Sequence, residues 1–126
     1  MAAPVLVVDG ANVVGSVPDG WWRDRPGAAA RLRDALIPVA SSGLPGVLDG
    51  PVSVVLVVEG AARGLDGVPG VEVVSAPGSG DDTIVSVARE FAASRPTWVV
   101  TADRALRERV RAVGAEVLGP TAVPRR

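Results

Sequence analysis

The chain has 126 residues, 48% of them hydrophobic and 21% charged, with a net charge of -1. That is enough apolar material for one folded domain with a real core, and it argues against disorder. Cys, His and Tyr are absent and all 13 basic residues are Arg, which excludes disulfides, thiolate or imidazole zinc sites, Ser-His triads, Schiff-base chemistry and a P-loop lysine.

Pro4-Val5-Leu6-Val7-Val8-Asp9 reads as a first strand, and its unbroken apolar run suits burial on both faces. Residues 10–20 are expected to form a loop. Asp24 and Pro26 mark a helix start, and Ala28, Leu32, Ala35, Leu36 and Val39 recur at helical spacing. Pro38 should kink or end that helix, ahead of a Gly/Pro-rich loop over 41–50. Pro51 to Glu59 is the second strand, 60–70 holds at most one helical turn, and Val71 to Ser75 is a short third strand. Pro77-Gly78-Ser79-Gly80 leads to Asp81, expected as the N-cap of a helix that buries Ile84, Val87, Ala88 and Phe91. Thr97 to Thr101 is the fourth strand. A helix from about Asp103 to Val113 is expected to bury Leu106, Val110 and Val113 and to end at Gly114, and Ala115 to Leu118 is the fifth strand. Alternation of strands and helices gives an α/β class with a mainly parallel sheet of about five strands. A single domain over 1–119 with a tail at 120–126 is expected. No apolar stretch reaches membrane-spanning length and no basic leader opens the chain, so a cytoplasmic protein is expected.

Every long apolar strand ends in or near a carboxylate: Asp9, Glu59 and Asp103, with Asp81 and Asp82 after the Gly-Ser-Gly turn. In an open α/β sheet, ligands bind beyond the carboxyl ends of the strands, so these acids could share one site. Each taken alone has a structural explanation. Asp9-Gly10 suits a turn, Asn12 suits an Asx-turn, and Asp81 and Asp103 suit helix caps. Unpaired carboxylates about 5 Å apart repel by roughly 3 kcal/mol per pair at an effective dielectric of ~20. A hard divalent cation such as Mg²⁺ or Mn²⁺ relieves that repulsion.

The joint pattern resembles the PIN-like nucleases, specifically the NYN domain group and its YacP-like branch. The resemblance rests on Val8-Asp9-Gly10-Ala11-Asn12, on Gly80-Asp81-Asp82-Thr83-Ile84 and on Val100-Thr101-Ala102-Asp103, and it spans roughly residues 4–118. It implies a three-layer α/β/α fold with strand order 3-2-1-4-5 and metal-dependent RNA cleavage. By the same resemblance, Asp9, Asp81 and Asp103 are the metal carboxylates, Asn12 is a polar companion of Asp9, and Thr101 is the hydroxyl beside Asp103. Asp82 and Glu59 are further ligand candidates, and Glu59 stands where YacP-like members often carry Asp.

The composition gives no global nucleic-acid signature, so RNA must meet a local patch. Arg104, Arg107 and Arg111 form a stripe beside Asp103 that suits phosphates, although pairing with Glu108 would make it an ordinary solvated face. Trp21, Trp22 and Arg23 lie at an expected loop-to-helix junction, where the indoles could stack on unpaired bases or pack against a core edge. The function expected is that of a metal-dependent ribonuclease, monomeric or homodimeric. The rival readings are a non-catalytic RNA-binding or assembly module and a metal-dependent small-molecule phosphatase or nucleotide hydrolase.

Overall fold

Unbroken runs of valine and leucine make strands that can be buried on both faces, and these runs form the centre of the molecule. The computed structural model describes residues 2–125; residue 1 of the expected domain and residue 126 of the expected tail lie outside them. β1 (Val5–Asp9) runs into a short helix, α1 (Gly10–Gly15), and a 3-10 turn at Trp21–Arg23 leads to α2 (Arg25–Ser42). A small antiparallel hairpin, β2 (Gly43–Leu44) and β3 (Leu48–Asp49), precedes β4 (Ser53–Val58) and β5 (Val71–Ser75). Then follow α3 (Gly80–Ala92), β6 (Thr97–Val100), α4 (Arg104–Ala112) and β7 (Glu116–Leu118).

The main sheet has the order β5-β4-β1-β6-β7, with every neighbouring pair parallel. This is the 3-2-1-4-5 order expected from the sequence. From β1 the chain steps outward to β4 and β5, then crosses back to β6 and β7. The direction of winding therefore reverses at the β1–β6 boundary, and at such a switch point a cleft opens beyond the strand ends.

Alternation along each strand divides the core into two layers. Leu6, Val8, Leu56, Val58 and Val100 pack with Val13 of α1 and with Ala29, Leu32, Leu36 and Val39 of α2. Val5, Val7, Val55, Val57 and Val99 face the other way, onto Ile84, Val85 and Ala88 of α3 and Leu106 and Val110 of α4. The result is helices, sheet, helices. Full burial of each such Val or Leu contributes about 1.5–3 kcal/mol, so this layering supplies most of the driving force.

The chain departs from the sequence expectations in several places. The expected loop after β1 begins as α1, because the Asp9 side chain accepts a hydrogen bond from the Asn12 backbone and caps it. α2 continues through Pro38 to Ser42. Pro38 and Asp34 are both exposed, so the Asp34 carbonyl that loses its donor can turn to water. The loop over 41–50 holds the β2–β3 hairpin. After β7, Pro120–Ala122 form a 3-10 turn and Val123, 5% exposed, joins the α1/α2 core, so this segment is not a free tail. Gly114 ends α4 as expected, at φ +98°.

Candidate active site

Strand parity decides which carboxylates can meet. Positions 5, 7 and 9 of β1 alternate onto the α3/α4 face, as do 55, 57 and 59 around β4 and 97, 99 and 101 around β6. Asp9, Glu59 and Thr101 therefore turn to the same side of the sheet, at its carboxyl edge. Gly10 allows the chain to turn there: a Cβ at this position would lie 2.6 Å from the Val57 carbonyl oxygen.

Thr101 is the hub. Its side chain is fully buried, and its Oγ1 donates to Asp9 Oδ2 at 2.9 Å while accepting from the Asp103 amide at 3.2 Å. Asp9, 5% exposed, also accepts from the Asn12 amide through Oδ1 at 3.3 Å. Asn12 in turn accepts from the Ala102 amide through Oδ1 at 2.9 Å, which leaves its side-chain NH₂ as a donor. Asp103 Oδ1 accepts from the Leu106 amide at 3.0 Å and caps α4, as the sequence suggested. Asp9, Asn12, Thr101 and Asp103 thus form one connected polar junction across the β1–β6 boundary.

The third motif arrives through α3. Its N-cap is Ser79, which accepts from the Asp81 amide; the expectation that Asp81 caps the helix is corrected. A second contact accompanies the shift by two residues: the Gly80 amide donates to Glu59 Oε2 at 3.0 Å, which ties the helix start to the end of β4. Asp81 is thereby left in the first turn with its carboxylate uncommitted to capping. Asp82 does not join the junction. Its carboxylate is 87% exposed and pairs with Arg109 at 2.8 Å, a partner that sequence spacing gave no means of finding.

Electrostatics link the acids. Burial pushes Asp9 above the ordinary aspartate range, with the negative charges of Asp81 and Glu59 adding to it and the Thr101 and Asn12 hydrogen bonds opposing. Asp81 is raised first by burial, then by Asp103 and Glu59; Arg109 opposes and Asp82 adds. The N-termini of α3 and α4 bring partial positive charge to the same edge. Among the described residues no three acidic side chains stand as a ready-made metal cage. The donor set is nevertheless all carboxylate oxygen, the chemistry that suits Mg²⁺ or Mn²⁺, and Mg²⁺ commonly needs only one or two carboxylates besides water and phosphate.

A raised carboxyl makes the folded protein bind protons more readily than the unfolded chain. Stability from this source is fully present below the unfolded value of about 3.9 and is lost as pH rises through the higher folded value. In chelator, the stability of the parent minus that of Asp9→Asn should therefore increase as pH falls from neutral toward about 4. Urea midpoints across that range measure it, and a pH-independent difference would show that burial does not raise Asp9.

Arg104, Arg107 and Arg111 line one surface depression of about 380 Å³ together with Ala102 and Glu108. Ala102 belongs to the polar junction, so the stripe borders it. Among the described residues the ion pairs are Arg33–Asp34 and Arg109–Asp82; the alternative that Glu108 neutralises the stripe does not occur. Arg107 Nε is buried and has no hydrogen-bond partner among the described residues. Trp22 is 53% exposed, with Arg23 over its ring at 5.8 Å, whereas Trp21 turns inward beneath Arg25. Sequence reasoning named Trp21, Trp22 and Arg23 but not Arg25, and adjacent indoles offer no signal for which one faces in.

No protein-family model matches the chain, and no curated protein matches it. Solved structures do. Rae1 (YacP) from Bacillus subtilis superposes with a TM-score of 0.70 at 20% identity, covering 97% of this chain and 71% of that one. A point mutant of the same protein gives a TM-score of 0.72 at 20% identity, covering 94% and 71%. The chain therefore shares the fold of Rae1 (YacP). No helix among the described residues is long and apolar enough to cross a membrane.

Proposed function

We propose that this domain is a metal-dependent ribonuclease that hydrolyses phosphodiester bonds in single-stranded or structured RNA. The observation that carries the reading is the Asp9–Thr101–Asp103 junction, centred on the buried Thr101, at the switch point of a YacP-like sheet and bordered by an arginine row that forms no ion pair among the described residues. Asp9, Asp81 and Asp103 would hold Mg²⁺ or Mn²⁺, with Glu59 in an outer position because its Oε2 already serves Gly80. The ion, when bound, supplies an activated water at neutral pH and charge stabilisation at the phosphate.

The chain's own groups divide the remaining work. Asn12 offers its side-chain NH₂ to a phosphate oxygen while its Oδ1 is fixed on Ala102. Thr101 acts through Asp9 and Asp103 and touches neither water nor phosphate, since its proton and a lone pair are committed to them. Arg104, Arg107 and Arg111 draw the backbone of the strand toward the junction. Asp82, engaged by Arg109, stays outside the metal set.

The deciding experiment incubates the purified protein with Mg²⁺ or Mn²⁺ and either a panel of RNAs or a panel of nucleotide phosphate esters. Cleavage of RNA with intact nucleotides supports the reading; turnover of the esters alone would indicate a phosphatase, and inertness toward both a binding module. Arg107→Ala should weaken RNA binding a few-fold and reduce the salt slope by about 0.7, as one lost single-strand phosphate contact does. An unchanged slope in salt titrations would remove Arg107 from the RNA path.

A further inference from the structure

A second recess adjoins the carboxylates on the opposite face of the sheet edge. It has a volume of about 330 Å³, at the low end of the ~300–1,000 Å³ usual for small-ligand pockets. Ala11, Val14 and Val58 give it apolar walls, Trp21 adds an aromatic one, and Arg25 and Glu59 are its charged groups. The Arg25 guanidinium lies over the Trp21 ring, 5.3 Å from its centroid. Among the described residues Arg25 forms no ion pair.

We propose that this recess receives one unpaired nucleobase of the RNA strand whose phosphate lies at the carboxylates. This rests on the ribonuclease reading and names a subsite for it. Three features select that occupant. Flat, delocalised walls match a base stacked on an aromatic ring or on a guanidinium plane, a mode open only to unpaired nucleotides. The Arg25 guanidinium, without an ion pair among the described residues, can donate to a base-edge carbonyl or ring nitrogen, as arginine does toward guanine. Finally, the recess and the site share their wall: Gly10 lines it and directly follows Asp9, and Glu59 lines it while binding the Gly80 amide beside Asp81. A base there would lie across that shared wall from a phosphate at the junction. Arg25 is then a free cation on the same strand path.

The test uses single-stranded eight-nucleotide RNAs in which an abasic residue is moved through each position, with binding read on cleavage-impaired Asp9→Asn protein in Mg²⁺. At one position the abasic residue should weaken binding about tenfold, the scale of one base–aromatic stack. Trp21→Leu should weaken the intact RNA by the same factor and erase the abasic penalty, and Trp21→Phe should restore both. Folding of each variant is checked by its melting curve. Trp21→Leu that is folded and binds as tightly as its parent overturns the proposal, as does an abasic penalty that does not depend on Trp21; an apolar peptide would then be the better occupant. RNA cleavage by the parent protein with no Trp21 effect removes the base pocket and keeps the ribonuclease. Trp21-dependent base binding without cleavage in either metal keeps the pocket and removes the ribonuclease. No RNA binding by the parent overturns the pocket outright.

Discussion

Asp9→Asn should lower RNA cleavage by at least about a hundredfold while leaving the fold intact. The side chain is buried, so its charge is not diluted by water, and a lost ligand or charge in such a site acts on the scale of several kcal/mol. The fold survives because the change is nearly isosteric. An amide can accept from either Asn12 or Thr101 but not from both through one oxygen, which costs about 1 kcal/mol. Removing a desolvated carboxylate that Asp81 and Glu59 repel offsets that loss. Metal response separates this from a merely structural effect. Mn²⁺ should raise the melting temperature of the parent by binding the native state, and Asp9→Asn should lose most of that rise. Undiminished cleavage by the variant would reject this site even for a protein that proved to be a nuclease.

The sheet was legible because its strands are unbroken apolar runs alternating with helices, and its order was implied by the family resemblance. What escaped were features set by contacts distant in sequence. Ser79 and Asp81 are both good capping residues, and Glu59, reaching the Gly80 amide from twenty-one residues away, accompanies the choice of Ser79. α1 is six residues long and bounded by glycines, too short for a hydrophobic period to register. Pro38 carries a local rule that fails where the freed carbonyl faces water. Within the candidate site, the acids at strand ends were visible as residues, and the alternation that turns 9, 59 and 101 to one face was also present in the string. The commitment of Asp82 to Arg109 on α4 was not, because nothing in either helix specifies the other's register. Nor does the pair Trp21-Trp22 announce which indole turns inward; the 3-10 turn decides it.

Thr101→Val tests the junction from its centre and should be the most damaging near-isosteric change in the chain. Valine keeps the volume of threonine but removes the group that donates to Asp9 and accepts from the Asp103 amide. Two buried or half-buried polar partners are left unpaired, one of them ionised, so the loss should be about 2–4 kcal/mol of stability, read as a lower urea midpoint. The effect on chemistry has a distinct signature. The Thr101 hydrogen bond favours ionised Asp9 and opposes the upward push of burial. Without it Asp9 holds its proton to higher pH, and the acid limb of the cleavage profile should move upward. Thr101→Ser keeps the hydroxyl and gives up only a methyl, so it should return the limb to its original position while recovering less than the full stability. A Thr101→Val protein whose profile merely drops in height, with no displacement of the acid limb, would show that Thr101 supports the fold without tuning Asp9.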